Sequence, residues 1–200
     1  MKKLFTLLAV LVSICAGAQT GLTAEVEHAL KQQAMAKVDQ LTNHFSFISS
    51  KKYANDVKDY HVRAALNLFL GGGHDYQDQY GNVLPAPRMQ VSKLDRSTGN
   101  VTFKEYPVRT YLSNLKYLNY DEVTITNSKS SFISSLQKVS DTEYMAVLSW
   151  VQIFVGKQKD MVVYRDRTSK NIVVKMTKKN YAGIERWEVL LGDTTVKVTE

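Results

Sequence analysis

The pattern of apolar residues predicts one long central β-strand around which the rest of the chain is arranged. Residues 143–155 form the longest apolar run outside the N-terminal peptide, and they include no proline or glycine. Their β-branched and aromatic side chains favour a strand over a helix. Successive side chains of a strand point to opposite faces, and here both faces are mostly apolar. The sequence therefore predicts a strand covered on both sides.

The bulkier face of this strand is assigned to the interior, where helices cover it and any pocket forms. The predicted pocket residues on the strand are Tyr144, Leu148, Trp150, Gln152 and Phe154, and the neighbouring helix adds Tyr60. The opposite face carries Met145, Val147, Val151, Ile153 and Val155. An exposed apolar patch of this kind usually marks an interface, which predicts pairing with a second copy or a partner protein. Coverage by a terminal segment or by the loop 74–87 is the alternative.

Two helices are predicted before the sheet. Residues 22–49 repeat an apolar side chain every three or four positions, and Thr23 is a suitable N-cap. Residues 55–70 form the second helix, which the three consecutive glycines at 71–73 end. Its predicted apolar stripe contains Val57, Tyr60, Ala64 and Leu68, widened by Ala65, Leu66 and Phe69.

A hairpin, a short helix and further strands complete the predicted order of elements. The hairpin joins 88–94 to 100–106 through a turn with Gly99, and Pro107 begins the short helix. The remaining strands are predicted at 122–126, 131–139, 161–164, 171–178, 185–191 and 195–199. Residues 165–170 are predicted as a turn in which Asp166 and its arginine neighbours are solvated.

The N-terminus has the pattern of a secretory signal peptide. Two lysines precede the apolar run 4–14, and Ala16-Gly17-Ala18 is a small-residue cleavage site. Cleavage after Ala18 leaves residues 19–200 as a single α+β domain exported to the periplasm or beyond. The apolar run is too short to span a bilayer, so no transmembrane segment is predicted in the mature chain. Cys15, the sole cysteine, keeps a lipid anchor open as the alternative.

Charge and residue content exclude several kinds of site. The formal net charge is +7, but no dense cluster of lysine and arginine interleaved with aromatic residues appears, which disfavours nucleic-acid binding. The four histidines lack metal-ligand spacing, and no metal or cofactor is predicted. His61 is the weak catalytic candidate, because it lies near Tyr60 and Asp59 on the second predicted helix.

The order of these elements resembles the nuclear-transport-factor-2-like, or cystatin-like, cone fold. The resemblance covers roughly residues 22–191 and rests on the order of the elements. Within this fold the chain is similar to secreted bacterial members of unknown function. It implies an α+β fold in which N-terminal helices pack on a curved antiparallel sheet. It also implies a cavity between helices and sheet, and frequent dimerisation. It implies no particular activity, because fold does not fix function.

The sequence thus predicts an exported, non-enzymatic module that binds a small molecule or an envelope protein. One alternative is a cone-fold enzyme, an isomerase, dehydratase or hydrolase, that uses a pocket histidine or carboxylate. Another is a component of secretion or envelope assembly. A deep closed pocket that holds a titratable group favours the enzyme, whereas a shallow or side-chain-filled cone beside an apolar sheet face favours interaction.

Overall fold

A computed structural model describes residues 21–78, 80–95, 97–128 and 130–199. Within these residues the α-helices are α1 (Ala24–Ser49), α2 (Asn55–Leu66) and α3 (Val108–Leu115), and a 3-10 helix spans Leu70–Gly73. The strands are β1 (Tyr76–Gln77), β2 (Val83–Leu84), β3 (Arg88–Leu94), β4 (Val101–Pro107), β5 (Glu122–Asn127), β6 (Ser131–Phe132), β7 (Gln137–Ser140), β8 (Glu143–Gln158), β9 (Met161–Tyr181) and β10 (Ile184–Thr199). The predicted signal peptide, with Cys15, lies outside the described residues.

The long strand β8 is central, as predicted. It pairs with β9 along one edge and with β5, β6 and β7 along the other. The main sheet follows the order β4-β3-β10-β9-β8-β5, and its neighbours are antiparallel except for one parallel bridge between Thr194 of β10 and Met89 of β3. The small hairpin β1-β2 is separate from it. The predicted α+β arrangement, with N-terminal helices packed on a curved sheet, is confirmed.

Helix α1 packs its predicted apolar stripe on the sheet. The Thr23 hydroxyl accepts a hydrogen bond from the Val26 amide, and two glutamates occupy the first turn, where the helix dipole favours negative charge. The buried side of α1 includes Leu30, Ala34, Val38, Leu41, Phe45 and Ile48. These residues join Leu148, Ile172, Val174 and Leu191 from the inner face of the sheet in one core. No helix in the described part of the chain is long and apolar enough to cross a membrane.

The predicted apolar stripe of α2 is wrong in part. Tyr60, assigned to the pocket, is 61% exposed, whereas Ala65 and Leu66 are buried. The helix ends at Leu66, earlier than predicted, and it contacts both α1 and α3, so the side that carries Ala65 and Leu66 faces the core. A tight glycine turn follows, in which a Cβ on Gly73 would come within 2.4 Å of the Leu66 side chain.

The predicted turn at residues 165–170 is also wrong, because this segment lies inside the continuous strand β9. It pairs with β8 from Arg165 opposite Val155 to Lys170 opposite Trp150. Pairing along the whole of β8 outweighs the polar composition of the segment, since strand preference depends strongly on neighbours. Likewise, the predicted break at Gly192-Asp193 is a register shift within β10. The continuous β9 brings polar side chains to the inner face of the sheet.

The outer face of β8 is half-buried in the single chain. Met145, Val147, Val151, Ile153 and Val155 are all partly exposed. Near one end of the strand, Tyr76 and residues 84–87 surround a hollow together with Met145 and Val173. The loop 74–87 therefore reaches one end of the predicted interface, and the rest of the apolar stripe stays open to pairing.

Pairing through this face stays a prediction, and Val151→Lys tests it. A charged side chain in the middle of the stripe should abolish a dimer and leave the fold intact, because Val151 is not part of the buried core. Light scattering should find the wild type dimeric and the variant monomeric. The matched control is Tyr60→Lys on the exposed side of α2, which should stay dimeric. A strictly monomeric wild type would show that no such interface exists.

Candidate active site

A cavity of about 240 Å³ lies between α3 and the inner faces of β8 and β9. Its apolar walls come from Val91, Leu115, Leu118 and Phe154, and its aromatic hydroxyls from Tyr111, Tyr120 and Tyr164. Its other polar groups are Ser92, Gln152, Asp166, Thr168 and Lys170. The cone is thus not filled by side chains, and titratable groups line it.

The polar side of the cavity is built by alternation along two paired strands. On β9, Asp166, Thr168 and Lys170 are spaced by two residues and so point to one face. Opposite them on β8 lie Phe154, Gln152 and Trp150, in that order. The register of this one strand pair therefore places a carboxylate, a hydroxyl, an amide and an amino group on the same wall.

Lys170 is the most unusual group in the cavity. Lys170 as a whole is only 5% exposed. Its amino group makes no hydrogen bond or ion pair with any residue that the structure describes. The nitrogen lies 5.8 Å from the centre of the Tyr111 ring. Burial lowers the pKa of Lys170 to about 8, and the negative charge of Asp166 opposes this shift in part. About a tenth of the side chain is then uncharged at pH 7, when an ordinary lysine is almost fully protonated.

Two buried hydrogen-bonding groups lie close to this lysine. The Oε1 atom of Gln152 is buried and has no hydrogen-bond partner within the described residues. The same side chain lies beside the Tyr111 hydroxyl, whose pKa is raised far above its ordinary value by burial, so that this hydroxyl stays protonated. Buried polar atoms normally have partners, so an orphaned acceptor on a cavity wall favours a bound ligand or water.

The outer end of the cavity is aromatic and holds Asp166. The Tyr164 hydroxyl donates a hydrogen bond of 2.8 Å to Oδ2 of Asp166. The rings of Tyr120, Phe154 and Tyr164 contact one another, mostly edge to face. Gly156 allows this packing, because a Cβ there would come within 2.6 Å of the Tyr120 ring. Tyr164 also lines a second hollow between the β3-β4 hairpin and the start of β9.

The pocket residues predicted from sequence are distributed over three places. Gln152 and Phe154 line the cavity. Tyr144, Leu148 and Trp150 share the inner face of β8 but are buried in the core farther along the strand. Tyr60 lies on the exposed side of α2, as described above.

His61, the catalytic candidate from sequence, does not line the cavity. Its ring stacks on Phe47 at 4.1 Å, and its Nδ1 atom lies 2.9 Å from Nδ1 of His44. Burial lowers the pKa of both histidines. At His44 the positive charge of a protonated His61 lowers the pKa further. Because α2 packs through its other side, His61 lies at the contact between α1 and α2. Elsewhere, no cluster of three metal-binding side chains occurs within the described ranges.

Sequence reasoning missed Lys170 and the inward position of Asp166. A signal was present: Tyr164, Asp166, Thr168 and Lys170 continue the two-residue period of Ile172, Val174 and Met176, which are fully buried on the inner face. This period was not recognised as a strand, because a polar composition such as that of residues 165–170 is also typical of a turn.

Comparisons with known proteins show similarity in fold and no family assignment. No protein-family model matches the sequence, and no curated protein matches it significantly. One similar structure is a candidate scytalone dehydratase from Novosphingobium aromaticivorans, 10% identical, with a TM-score of 0.39 over 86% of this chain and 90% of that chain. Another is a type 2 hexachlorocyclohexane dehydrochlorinase (LinA), which is 8% identical. Its TM-score is 0.40 over 88% of this chain and 92% of that chain. The described part of the chain has an α+β fold in which the N-terminal helices pack on a curved sheet.

The cavity corrects the prediction of a non-enzymatic binding module. It is not filled by side chains, and it contains the buried Lys170 together with Asp166. The alternative prediction, a cone-fold enzyme, fits these two observations. Its expected catalytic histidine is absent from the described cavity walls, and the expected carboxylate is present as Asp166.

Proposed function

We propose that the cavity is the active site of an enzyme of the lyase or isomerase type, which moves a proton on a small, largely apolar molecule. The observation that carries this proposal is the amino group of Lys170, enclosed in a cavity without an ion-pair partner among the described residues. Burial of such a group opposes folding, and groups with strongly shifted pKa values concentrate at functional sites.

The groups on the cavity wall support proton transfer in both directions. The uncharged amine of Lys170 accepts a proton from a substrate C–H, and the resulting ammonium returns it to a leaving group or to a neighbouring carbon. A pKa of about 8 suits this role, since both protonation states are populated near neutral pH. The Tyr111 hydroxyl and the Gln152 amide supply hydrogen bonds that orient polar substrate atoms.

The size and lining of the cavity limit the substrate to a compact molecule. A volume of about 240 Å³ lies below the ordinary range of pockets for drug-sized ligands. The rings of Tyr120, Phe154 and Tyr164 favour a flat or cyclic apolar body. Export of this enzyme with cleavage after Ala18 is part of the same proposal.

A general elimination probe tests the proposal before the natural substrate is identified. 5-Nitrobenzisoxazole is small, flat and apolar, and removal of its ring C–H proton breaks the N–O bond and releases a coloured cyanophenolate. Wild-type protein should accelerate this reaction, with a rate that rises through a midpoint at about pH 8 as Lys170 loses its proton. Lys170→Met should lower the rate on the order of 100-fold, which is typical for loss of a positioned base.

Two further variants make the result specific to the cavity. Lys197→Met, on the exposed side of β10, should leave the rate and its midpoint unchanged. Asp166→Asn removes a negative charge that raises the pKa of Lys170, so the midpoint should move to lower pH. A rate that survives in Lys170→Met would contradict the proposed role of this lysine.

A further inference from the structure

The surroundings of Lys170 suit a nucleophile as well as a base. Its amino group lies 5.8 Å from the centre of the Tyr111 ring, and the same cavity is lined by the orphaned acceptor of Gln152 and the protonated phenol of Tyr111. The lysine stem is anchored in the strand β9 opposite Trp150, which is itself 2% exposed. A lysine that is desolvated in an apolar pocket is a common covalent nucleophile toward carbonyl compounds.

We propose that Lys170 forms a covalent imine with a small aldehyde or ketone bound in the cavity, and that proton transfer takes place on this imine. This inference deepens the proposed function and rests on it. It names the substrate class, a compact carbonyl compound with an apolar body and a C–H bond next to the carbonyl carbon. For carbonyl substrates it changes the role of Lys170 from base to nucleophile, and Asp166 becomes the group that moves the proton.

The covalent step balances without any further reactant. The lone pair of the neutral Nζ attacks the carbonyl carbon, a C–N bond forms, and the carbonyl oxygen becomes a hydroxyl by taking up the proton that the nitrogen loses. The nitrogen lone pair then expels this hydroxyl, which takes one proton from solvent and leaves as water, and an imine that carries this one positive charge remains. The Tyr111 hydroxyl lines the same cavity from α3 and can hydrogen-bond the oxygen during these steps.

The imine makes the proposed proton transfer easier. Its positive charge withdraws electrons from the neighbouring carbon, and the C–H bond there becomes more acidic. The Asp166 carboxylate lies on the same face of β9, four residues before Lys170, and its charge already acts on that amino group. The Tyr164 hydroxyl donates a hydrogen bond to one of its oxygens, which helps to fix the orientation of the carboxylate. A carboxylate held in this way can accept the released proton and return it at another position.

Selectivity for Lys170 over other lysines follows from its uncharged fraction. At pH 7 the difference between a pKa of about 8 and the ordinary 10.5 enlarges the neutral fraction roughly 300-fold. A lysine of lower basicity is a somewhat weaker nucleophile, so the expected advantage in rate is smaller but still at least tenfold. The enclosed position adds binding of the carbonyl compound next to the amine.

Pentane-2,4-dione is a direct probe of this reactivity. It condenses with an uncharged amine, loses water and gives a conjugated enaminone with a strong near-ultraviolet band. Wild-type protein at pH 7.5 should form one enaminone, and tandem mass spectrometry of peptides should place it on Lys170 at least tenfold faster than on any other lysine. The rate should rise with pH and level off above about pH 8.

Two substitutions and one comparison complete the experiment. Lys170→Arg keeps the positive charge but cannot condense, so the band should vanish, while Lys197→Arg should label as the wild type does. The peptide map of the wild type needs no variant, so it decides the question even if Lys170→Arg fails to fold. Labelling spread evenly over surface lysines, or absent from Lys170, would overturn the inference.

The outcome is separable from that of the proposed function. If benzisoxazole elimination depends on Lys170 but no enaminone forms there, the imine is wrong and the proton-transfer site stands. If neither reaction depends on Lys170, both proposals fail together.

Discussion

Replacement of Lys170 by methionine is expected to raise the free energy of unfolding at pH 7 by about 2–3 kcal/mol, while it removes the elimination activity. Burial lowers the pKa of Lys170 from 10.5 to about 8 in the folded protein. At pH 7 the side chain is protonated in both the folded and the unfolded state, so folding carries the whole penalty of burying the charge. Methionine has a similar length and no charge, and it fills the same space without that penalty.

The pH dependence of stability gives this expectation a definite sign. The folded pKa lies below the unfolded value, so between about pH 8 and 10.5 the unfolded chain binds more protons than the folded one. The stability of the wild type should therefore rise with pH across this window, and that contribution should be missing from Lys170→Met. Urea denaturation at pH 7 and 9 measures both effects while most tyrosines of the unfolded chain are still protonated.

The control for this comparison is Lys197→Met, which changes an exposed lysine on β10. Its free energy of unfolding should stay within about 0.5 kcal/mol of the wild type at both pH values. A Lys170→Met protein that is less stable at pH 7 and keeps the wild-type pH dependence would show that Lys170 is not a buried charge. Greater stability with lost activity is the pattern expected of a residue kept for function.

Replacement of Trp150 by alanine is expected to lower the free energy of unfolding by about 3–5 kcal/mol. Trp150 is 2% exposed on the inner face of β8, where it pairs with Lys170 of β9. Truncation removes a large apolar contact area and leaves a cavity between the sheet and the helices. Denaturant unfolding monitored by circular dichroism measures the loss.

Two companion variants separate the causes of this loss. Trp150→Phe should cost less than the alanine change, because it keeps most of the ring and removes an indole N–H that has no partner among the described residues. Tyr60→Ala truncates an aromatic residue that is 61% exposed on α2, and it should change stability by less than about 0.5 kcal/mol. Equal effects at Trp150 and Tyr60 would contradict the position of β8 as the central strand.

The two ends of β9 show how far sequence patterns reach. Ile172, Val174 and Met176 are spaced by two residues, with polar Lys175 and Thr177 on the other face, and this period predicts them inward, where all three are fully buried. Asp166, Thr168 and Lys170 continue the same period, but with polar side chains on the inner face. A rule that turns polar residues outward fails there, because the inner face at that end borders a cavity and not a packed core.

The helix α2 shows a second limit, which concerns rotation about the helix axis. The residues Ala64, Ala65, Leu66, Leu68 and Phe69 make this segment apolar on several sides, so more than one stripe fits the sequence. Only contact with α1 and α3 selects the side with Ala65 and Leu66, and that selection exposes Tyr60 and directs His61 away from the cavity.

By itself the sequence determined the local elements and their order: the amphipathic α1 with its Thr23 cap, the glycine turn after α2, the hairpin β3-β4, and the two-faced strand β8. These features depend on near-neighbour periodicity and on backbone preferences, which act over a few residues. Tertiary structure alone decided the candidate site. Lys170, Asp166, Gln152 and Tyr111 come together only through the pairing of β8 with β9 and the packing of α3 over them. The shift in the pKa of Lys170 follows from that enclosure, because desolvation depends on which groups surround a charge in space.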